Sequence, residues 1–287
     1  MFSQITILAP GLLGASVAKA VRSRNLSSKI HIWSRRAESR HKLIGVDWCD
    51  NVFETPEEAV HGSELVIICT PVEKIIPLVE QIASSLSSTT IVTDVGSVKS
   101  EITRRGSSAL EEKAIFIGSH PMAGSEKTGM EHSSENLFED RPCFITPLES
   151  TSESALSQLI AFWSALGSDI STTSPEAHDE IVAHISHLPH LIASALCSFL
   201  SEKDSNWKHF SGAGLSDSTR IASGDPKLWK EILVQNREEV LRSLRGLQEK
   251  LDEVHSLLAN NDSIALTAIL EQGKNYRDQL RPAKSSE

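Results

Sequence analysis

The chain has 287 residues, 39% of them hydrophobic and 23% charged, with a net charge of −10 at pH 7. That length carries one large domain or two, with a sizeable core. The acidic balance, without any block of lysine and arginine, excludes nucleic acid and anionic membranes as main partners; no apolar run approaches bilayer length, and the first residues carry no signal-peptide pattern. Cys49, Cys69, Cys143 and Cys197 are far apart and form no CxxC pair. They read as reduced, mostly buried thiols of a cytoplasmic protein.

Strand, glycine turn and helix follow one another at the start. Residues 5–8 are an apolar run, Ala9-Pro10-Gly11-Leu12-Leu13-Gly14 turns, and an amphipathic stretch over 17–24 continues as a helix. In that setting Gly11 lets backbone approach a pyrophosphate, and Gly14 lets helix and strand pack closely. The helix N-terminus offers N–H groups to phosphates, so Gly11, Leu12, Leu13 and Gly14 are cofactor-binding candidates. Ala9 stands where such a turn usually has its first glycine. The next run, 29–33, ends in Ser34-Arg35-Arg36. An NAD site usually has a carboxylate there for the ribose 2′-OH. Serine and guanidinium groups suit a 2′-phosphate instead, so this end favours NADP over NAD.

Residues 65–69 and 90–95 are near-continuous apolar runs, as parallel strands covered on both faces should be. They end in Thr70-Pro71 and in Gly96-Ser97, at the carboxyl edge where doubly wound sheets bind ligands. Thr70, Pro71 and Ser97 are therefore cofactor candidates. A further strand, 114–117, leads into Gly118-Ser119-His120-Pro121. Proline cannot continue a ladder, so His120 is expected at a strand terminus, free of sheet and helix packing. Glu126 and Lys127 follow in a glycine-bounded loop, and an imidazole, a carboxylate and an amine together suit proton transfer. Residues 143–146 and 169–172 flank a helix over about 153–166 and are expected to extend the same sheet.

From Pro175 onward the pattern is helical alone. Ser174 as N-cap, proline in the first turn and nearby acids start a helix. It carries His178, His184, His187 and His190, with Pro189 expected to kink it. Histidines 184, 187 and 190 fan over more than one face and lack an acid or cysteine to complete a metal set, so no metal is expected. His178 and His190 read as histidines capping a kinked buried helix, and His187 as facing a ligand. Arg220 lies amid small and apolar residues and needs a partner if buried: a substrate carboxylate, Asp217 or Glu126. Residues 230–258 and 262–276 are amphipathic helical stretches. The fold class is an α/β Rossmann-type domain over 1–173, an all-α dimerisation domain over 174–282, and a tail over 283–287.

Five segments in order then carry a resemblance: Gly-Leu-Leu-Gly-Ala-Ser at 11–16, Asp-Val-Gly-Ser-Val-Lys at 94–99, Ser-His-Pro-Met-Ala-Gly-Ser-Glu-Lys-Thr-Gly at 119–129, Ser-His-Leu-Pro-His at 186–190, and Asp-Ser-Thr-Arg-Ile-Ala-Ser-Gly-Asp-Pro-Lys-Leu-Trp at 217–229. Over nearly its whole length the chain resembles the prephenate/arogenate dehydrogenases of tyrosine biosynthesis. The resemblance implies a Rossmann domain and a helical domain interlocked in a homodimer. With no mutase segment before the glycine turn and no regulatory domain after the helices, it looks like the short monofunctional form. It further implies oxidative decarboxylation of prephenate or arogenate to 4-hydroxyphenylpyruvate or tyrosine. Hydride would leave ring C4 for the nicotinamide, His120 would accept the C4 hydroxyl proton, and Ser97 would orient both. His187, Arg220 and Ser125 would hold substrate polar groups, Glu126 and Asp217 would surround Arg220 in an ionic network, and Trp229 would close the site. Asp179 is a candidate for the arogenate ammonium, with prephenate the leading substrate. The alternatives are a β-hydroxyacid dehydrogenase or imine reductase, which rely on a lysine or aspartate on the long helix, and a non-catalytic NADP sensor.

Overall fold

The computed structural model describes residues 2–123 and 129–280. Ser125, Glu126 and Lys127 lie outside the described residues. Six parallel strands, β1 (Gln4–Leu8), β2 (Lys29–Trp33), β3 (Asn51–Phe53), β4 (Leu65–Ile68), β5 (Ile91–Asp94) and β6 (Ile115–Phe116), form one sheet in the order β3-β2-β1-β4-β5-β6. That is the strand order of a Rossmann sheet. Helices α1 (Leu12–Ser23), α2 (Ala37–Lys42), α3 (Pro56–Val60), α4 (Val72–Ile82) and α5 (Ser100–Ala109) connect the strands. The two-residue period of the strands splits the core in two. Ile5, Ile7, Leu65 and Ile67 join Val17 and Val21 on one face; Leu8, Val66, Ile68 and Val92 join Ile75 and Val79 on the other.

The glycine turn joins β1 to α1 as its sequence implies, with one departure. Ala9 holds φ at 76°, the left-handed region in which an L side chain costs about 1–2 kcal/mol. Gly14 is packed so tightly that an added Cβ would meet Ile7 Cγ2 at 3.1 Å and Cys69 Cβ at 3.2 Å. An added Cβ at Gly11 would meet nothing within 4 Å.

The expectation that residues 143–146 and 169–172 extend this sheet is corrected. The Ile117 N–H still bonds the Val92 carbonyl (2.9 Å), and the chain then leaves the sheet at Gly118. A second sheet of three strands, β7 (Gly118–Pro121), β8 (Pro142–Thr146) and β9 (Asp169–Thr172), follows, with β8 paired antiparallel to β7 and parallel to β9. Helix α6 (Glu153–Ala165) links β8 to β9. Gly118 permits the departure, because a Cβ there would sit against the Thr103 and Thr146 hydroxyls.

Helices alone follow: α7 (Pro175–Val182), a π-helical turn at Ala183–His187, α8 (Leu188–Ser201), α9 (Ala213–Thr219) and α10 (Pro226–Gln235). The strand pattern ends at 172, while the compact units of the chain part at 237/238. The second unit holds α11 (Arg237–Ala259) and α12 (Ser263–Gln279), so the amphipathic stretch expected over 230–258 is broken at Asn236. The break expected at Pro189 takes the form of the π turn, in which the Leu188 N–H reaches back to the Ala183 carbonyl. The proline ring would crowd the carbonyl four residues earlier in a regular α-helix, and the wider turn accommodates it.

Two further expectations change. Pro175–Ser201 is one 27-residue helical run whose most apolar 18-residue window has a mean hydropathy of 1.3, enough by length and composition alone to cross a membrane, so the expectation that no apolar run approaches bilayer length is corrected. The four cysteines are free, but only Cys143 is buried; Cys49 and Cys69 are half-buried and Cys197 is exposed.

Candidate active site

The carboxyl edge of the first sheet gathers the candidate residues for the nucleotide. The N-terminus of α1 begins at Gly11 with no side-chain cap and no acid in its first turn, leaving the N–H groups of Leu12, Leu13 and Gly14 for an anion. Beyond β4, Thr70 has a buried hydroxyl with no partner, and Pro71 is the exposed N-cap of α4. An orphaned buried hydroxyl beside an uncapped helix end and an open Gly11 fits a dinucleotide. At the end of β2, Ser34 is buried and Arg35 and Arg36 are exposed. A third guanidinium, Arg40, is committed to the Ser34 and Arg35 carbonyls and to Glu54. Ser97 is half-buried in the loop after β5.

His120 corrects the expectation of a strand terminus free of packing. It lies inside β7, opposite Phe144, and is buried. Pro121 stays in register with Cys143 because its missing N–H falls where no ladder bond is required, and Met122 N–H resumes bonding to the Pro142 carbonyl at 2.7 Å. The His120 ring meets His178 from α7, Nδ1 to Nε2 at 2.9 Å. His178 Nδ1 in turn donates to Asp179 Oδ1 at 2.8 Å. The reading of His178 as a helix cap is therefore replaced: its side chain is fully buried between His120, Phe144 and Asp179.

Asp179 cannot serve as the ammonium partner that was expected of it. Its two oxygens accept the Lys99 N–H (2.7 Å) and the Ser100 N–H (2.8 Å), closing the N-terminus of α5. Below it, Lys99 and Asp94 form an ion pair with both side chains wholly buried. Asp94 also accepts the Gly96 N–H (2.8 Å) and the Ser119 N–H (3.3 Å). Ser119, next to His120, is held by the Asp94 carbonyl, Thr93 and the Trp163 indole.

The π turn brings His187 into this group. Nine α-helical residues after His178 would place it on the far side, at about 180°, whereas the π turn returns it to roughly 90°. Asn236 fastens it there. Its amide nitrogen donates to the Asp179 carbonyl (2.8 Å) and to His187 Nδ1 (3.1 Å). His187 Nδ1 thus accepts, and Nε2 carries the proton. His190 also turns inward and stacks on Trp229 with ring centroids 3.6 Å apart, so it too is no mere cap. Trp229 lies 6.3 Å from His187 in the same chain. His184 is exposed, its Nδ1 bonded to the Glu180 carbonyl. Arg220 and Asp217 are both exposed, and among the described residues no ion pair joins them. Read from the sequence, Lys99, Asp94 and Asn236 have no role of their own, and His178, His190 and Asp179 have other roles than these, as helix caps and as an ammonium partner. Asn236 alone carried a signal, as a polar residue four positions after the buried Ile232 of α10.

Burial holds the inward histidines neutral. Desolvation, helped by His178, Lys99 and His187, puts His120 well below its ordinary value. Desolvation also lowers His178 against the pull of Asp179, and lowers His187 to about 4. Burial would raise Asp179, but its bonds to His178 and Ser100 outweigh that and hold it low. Stability follows with a definite sign. Above pH 6.5 both folded and unfolded chains carry these rings neutral; below it the unfolded chain takes up protons first. We expect the free energy of unfolding to fall from pH 7 to pH 5, by about 2 kcal/mol for His187 alone. Denaturant titrations at the two pH values check this, and equal stability would contradict it.

The comparisons with known proteins extend over nearly the whole chain. The family model for the prephenate dehydrogenase nucleotide-binding domain matches residues 17–172, and that for the prephenate dehydrogenase dimerization domain matches 174–272. The prephenate dehydrogenase of Bacillus subtilis is 32% identical over 98% of this chain and 76% of its own length. The crystal structure of A. aeolicus prephenate dehydrogenase in complex with hydroxyphenyl propionate and NAD+ matches with a TM-score of 0.92 at 28% identity, covering 98% of this chain and 99% of that one. Synechocystis arogenate dehydrogenase matches with a TM-score of 0.86 at 31% identity, over 96% and 99% of the two chains. With both family models matched in order across the two sheets and the helices, the chain belongs to the prephenate/arogenate dehydrogenase family of oxidoreductases.

Proposed function

We propose that this chain catalyses the NADP-dependent oxidative decarboxylation of prephenate, and of arogenate as a second substrate, in tyrosine biosynthesis. The observation that carries the reading is His120, a buried, neutral imidazole in β7, one residue from Ser119, which bonds the Asp94 carbonyl at the carboxyl end of β5. A bound nicotinamide supplies the hydride acceptor. The protein's part is to take the C4 hydroxyl proton as C4 becomes a carbonyl and to position the ring; loss of the ring carboxylate as CO₂ then restores aromaticity. An imidazolium could not accept that proton, so a depressed His120 suits the step. His187 presents a neutral N–H donor on Nε2, set by Asn236, which suits a substrate oxygen. Ser97 orients His120 and the cofactor, and Trp229 closes the pocket beside His187. Arg220, exposed and one helical turn from Asp217, is assigned to the substrate carboxylate, and Ser125 and Glu126, which lie outside the described residues, are assigned to substrate binding on the resemblance alone.

Gly11, Leu12, Leu13, Gly14, Thr70 and Pro71 are assigned to the dinucleotide, and Ser34, Arg35 and Arg36 to its 2′-phosphate. Residues 1–173 hold the cofactor and 174–282 form the homodimer, in a cytoplasmic enzyme. The outward apolar side chains Phe199, Trp207, Phe210, Leu251 and Ile264 support a helical interface between two copies.

Two experiments test the reading. Each of prephenate and arogenate is incubated with NADP and with NAD, and reduced cofactor and CO₂ are measured. We expect turnover with NADP and prephenate; absence of turnover in all four pairings overturns the activity. Ser34→Asp places a carboxylate against the 2′-phosphate and is expected to shift kcat/KM toward NAD by about tenfold or more, roughly 1.4 kcal/mol of charge repulsion. Unchanged NADP preference would remove Ser34 from the cofactor site.

A further inference from the structure

The proton accepted by His120 has somewhere to go. His120 Nδ1 lies 2.9 Å from His178 Nε2, and His178 Nδ1 lies 2.8 Å from Asp179 Oδ1. An ionised carboxylate can only accept, so His178 donates from Nδ1 and its Nε2 carries the lone pair. His120 must then donate from Nδ1, which leaves its Nε2 as the basic nitrogen.

We propose that His178 and Asp179 are positioning residues of the reaction: they fix the His120 tautomer with Nε2 as the base and receive the positive charge while the proton is held. The proposal rests on the dehydrogenase reading above. The balance of the step is as follows. The C4 hydroxyl O–H breaks and an N–H forms at His120 Nε2, as hydride leaves C4. The His120 Nδ1 proton passes to His178 Nε2, and the resulting imidazolium is paired with the Asp179 carboxylate. When the C–CO₂ bond breaks, its electron pair enters the ring and reaches the C4 oxygen. The protons then shift back, and His120 Nε2–H returns its proton to that oxygen. The relay lends a proton and recovers it, with no net uptake.

The surroundings show why such a relay is required. The His120 ring faces the Lys99 ammonium from the loop after β5 and His187 from the π turn, with Asp94 neutralising Lys99. No carboxylate bonds His120 directly among the described residues, so an imidazolium at that ring would be poorly compensated. Asp179 is the paired anion one ring further on. Its position is over-determined by the Lys99 and Ser100 N–H groups, and Asn236 ties its backbone carbonyl to His187. A group held by bonds to α5 and α10 has little freedom to leave the relay.

Nitrogen-detected NMR of the histidine-labelled whole protein near neutral pH tests the tautomers directly, with His120→Asn and His178→Gln used to assign the signals. We expect both His120 and His178 to be protonated at Nδ1 and bare at Nε2. A His120 ring protonated at Nε2 overturns the proposal whether or not the protein turns over prephenate. In steady-state assays, His178→Gln keeps a hydrogen-bond acceptor for His120 but cannot hold a proton. It is expected to lower kcat by roughly 10- to 100-fold, part of what a general base supplies, with substrate KM within about twofold. It should also move the acid limb of the kcat/KM profile. Unchanged kcat and pH profile in a folded His178→Gln overturn the relay, and a His178→Gln protein that fails to fold leaves the NMR result to decide. If wild-type protein shows no turnover, the proposed reaction fails, while the tautomer result still stands or falls by itself.

Discussion

His120→Asn is expected to lower kcat by about 10²- to 10⁴-fold while substrate KM changes by no more than a few-fold, the pattern of a lost general base. Asparagine keeps a side-chain amide that can bond His178, so β7 and its pairing with β8 are retained. The residual rate comes from positioning alone. The split between kcat and KM separates this from Arg220→Gln, which removes a cation assigned to the substrate carboxylate and is expected to act mainly on KM. Steady-state kinetics on the two variants check both expectations. Near-normal turnover in His120→Asn would make the general-base assignment wrong.

Lys99→Met is expected to be the most destabilising single change near the site. Lys99 and Asp94 are both wholly inaccessible, and methionine fills the lysine stem's volume while leaving the Asp94 carboxylate with two backbone N–H donors and no cation. Breaking one side of a buried pair costs about 3–5 kcal/mol, because the remaining charge stays desolvated. At roughly 2–4 °C per kcal/mol for a chain of this size class, the midpoint of thermal unfolding should fall by about 10 °C. The double change Asp94→Asn with Lys99→Met removes the stranded charge and should recover part of the loss. Thermal denaturation of the three proteins checks this. A Lys99→Met protein as stable as the wild type would mean that the pair is reached by water.

The first sheet was legible because its chemistry is local. Continuous apolar runs at β4 and β5 and a glycine turn between β1 and α1 each announce a parallel strand or a crossover within a few residues. The second sheet was not, because the partner of β7 lies some 20 residues downstream and nothing in Gly-Ser-His-Pro marks an antiparallel register with Pro142–Thr146. The proline was read as an end to pairing, yet its missing N–H falls at a position that the ladder does not use.

The site divides the same way. Ser97 and the residues assigned to the dinucleotide sit at turns whose sequence advertises them, and His120 stands out beside Pro121 although it lies inside β7. His178 and Asp179 lie inside a helix start, where a histidine and an acid look like capping and dipole chemistry. Only the approach of β7 to α7 reveals their bond to His120. Pro189 signalled an irregularity, but the extra residue of the π turn, which swings His187 inward, has no sequence mark. Asn236 could have been found: a lone amide four positions after the buried Ile232 must bond to something.

The most direct test of the account is to supply prephenate carrying deuterium at C4, with NADP, and to analyse the reduced cofactor and the CO₂ released. The account predicts one deuterium on each reduced cofactor and one CO₂ for each cofactor reduced. Reduced cofactor without deuterium, or CO₂ without reduction, would contradict it.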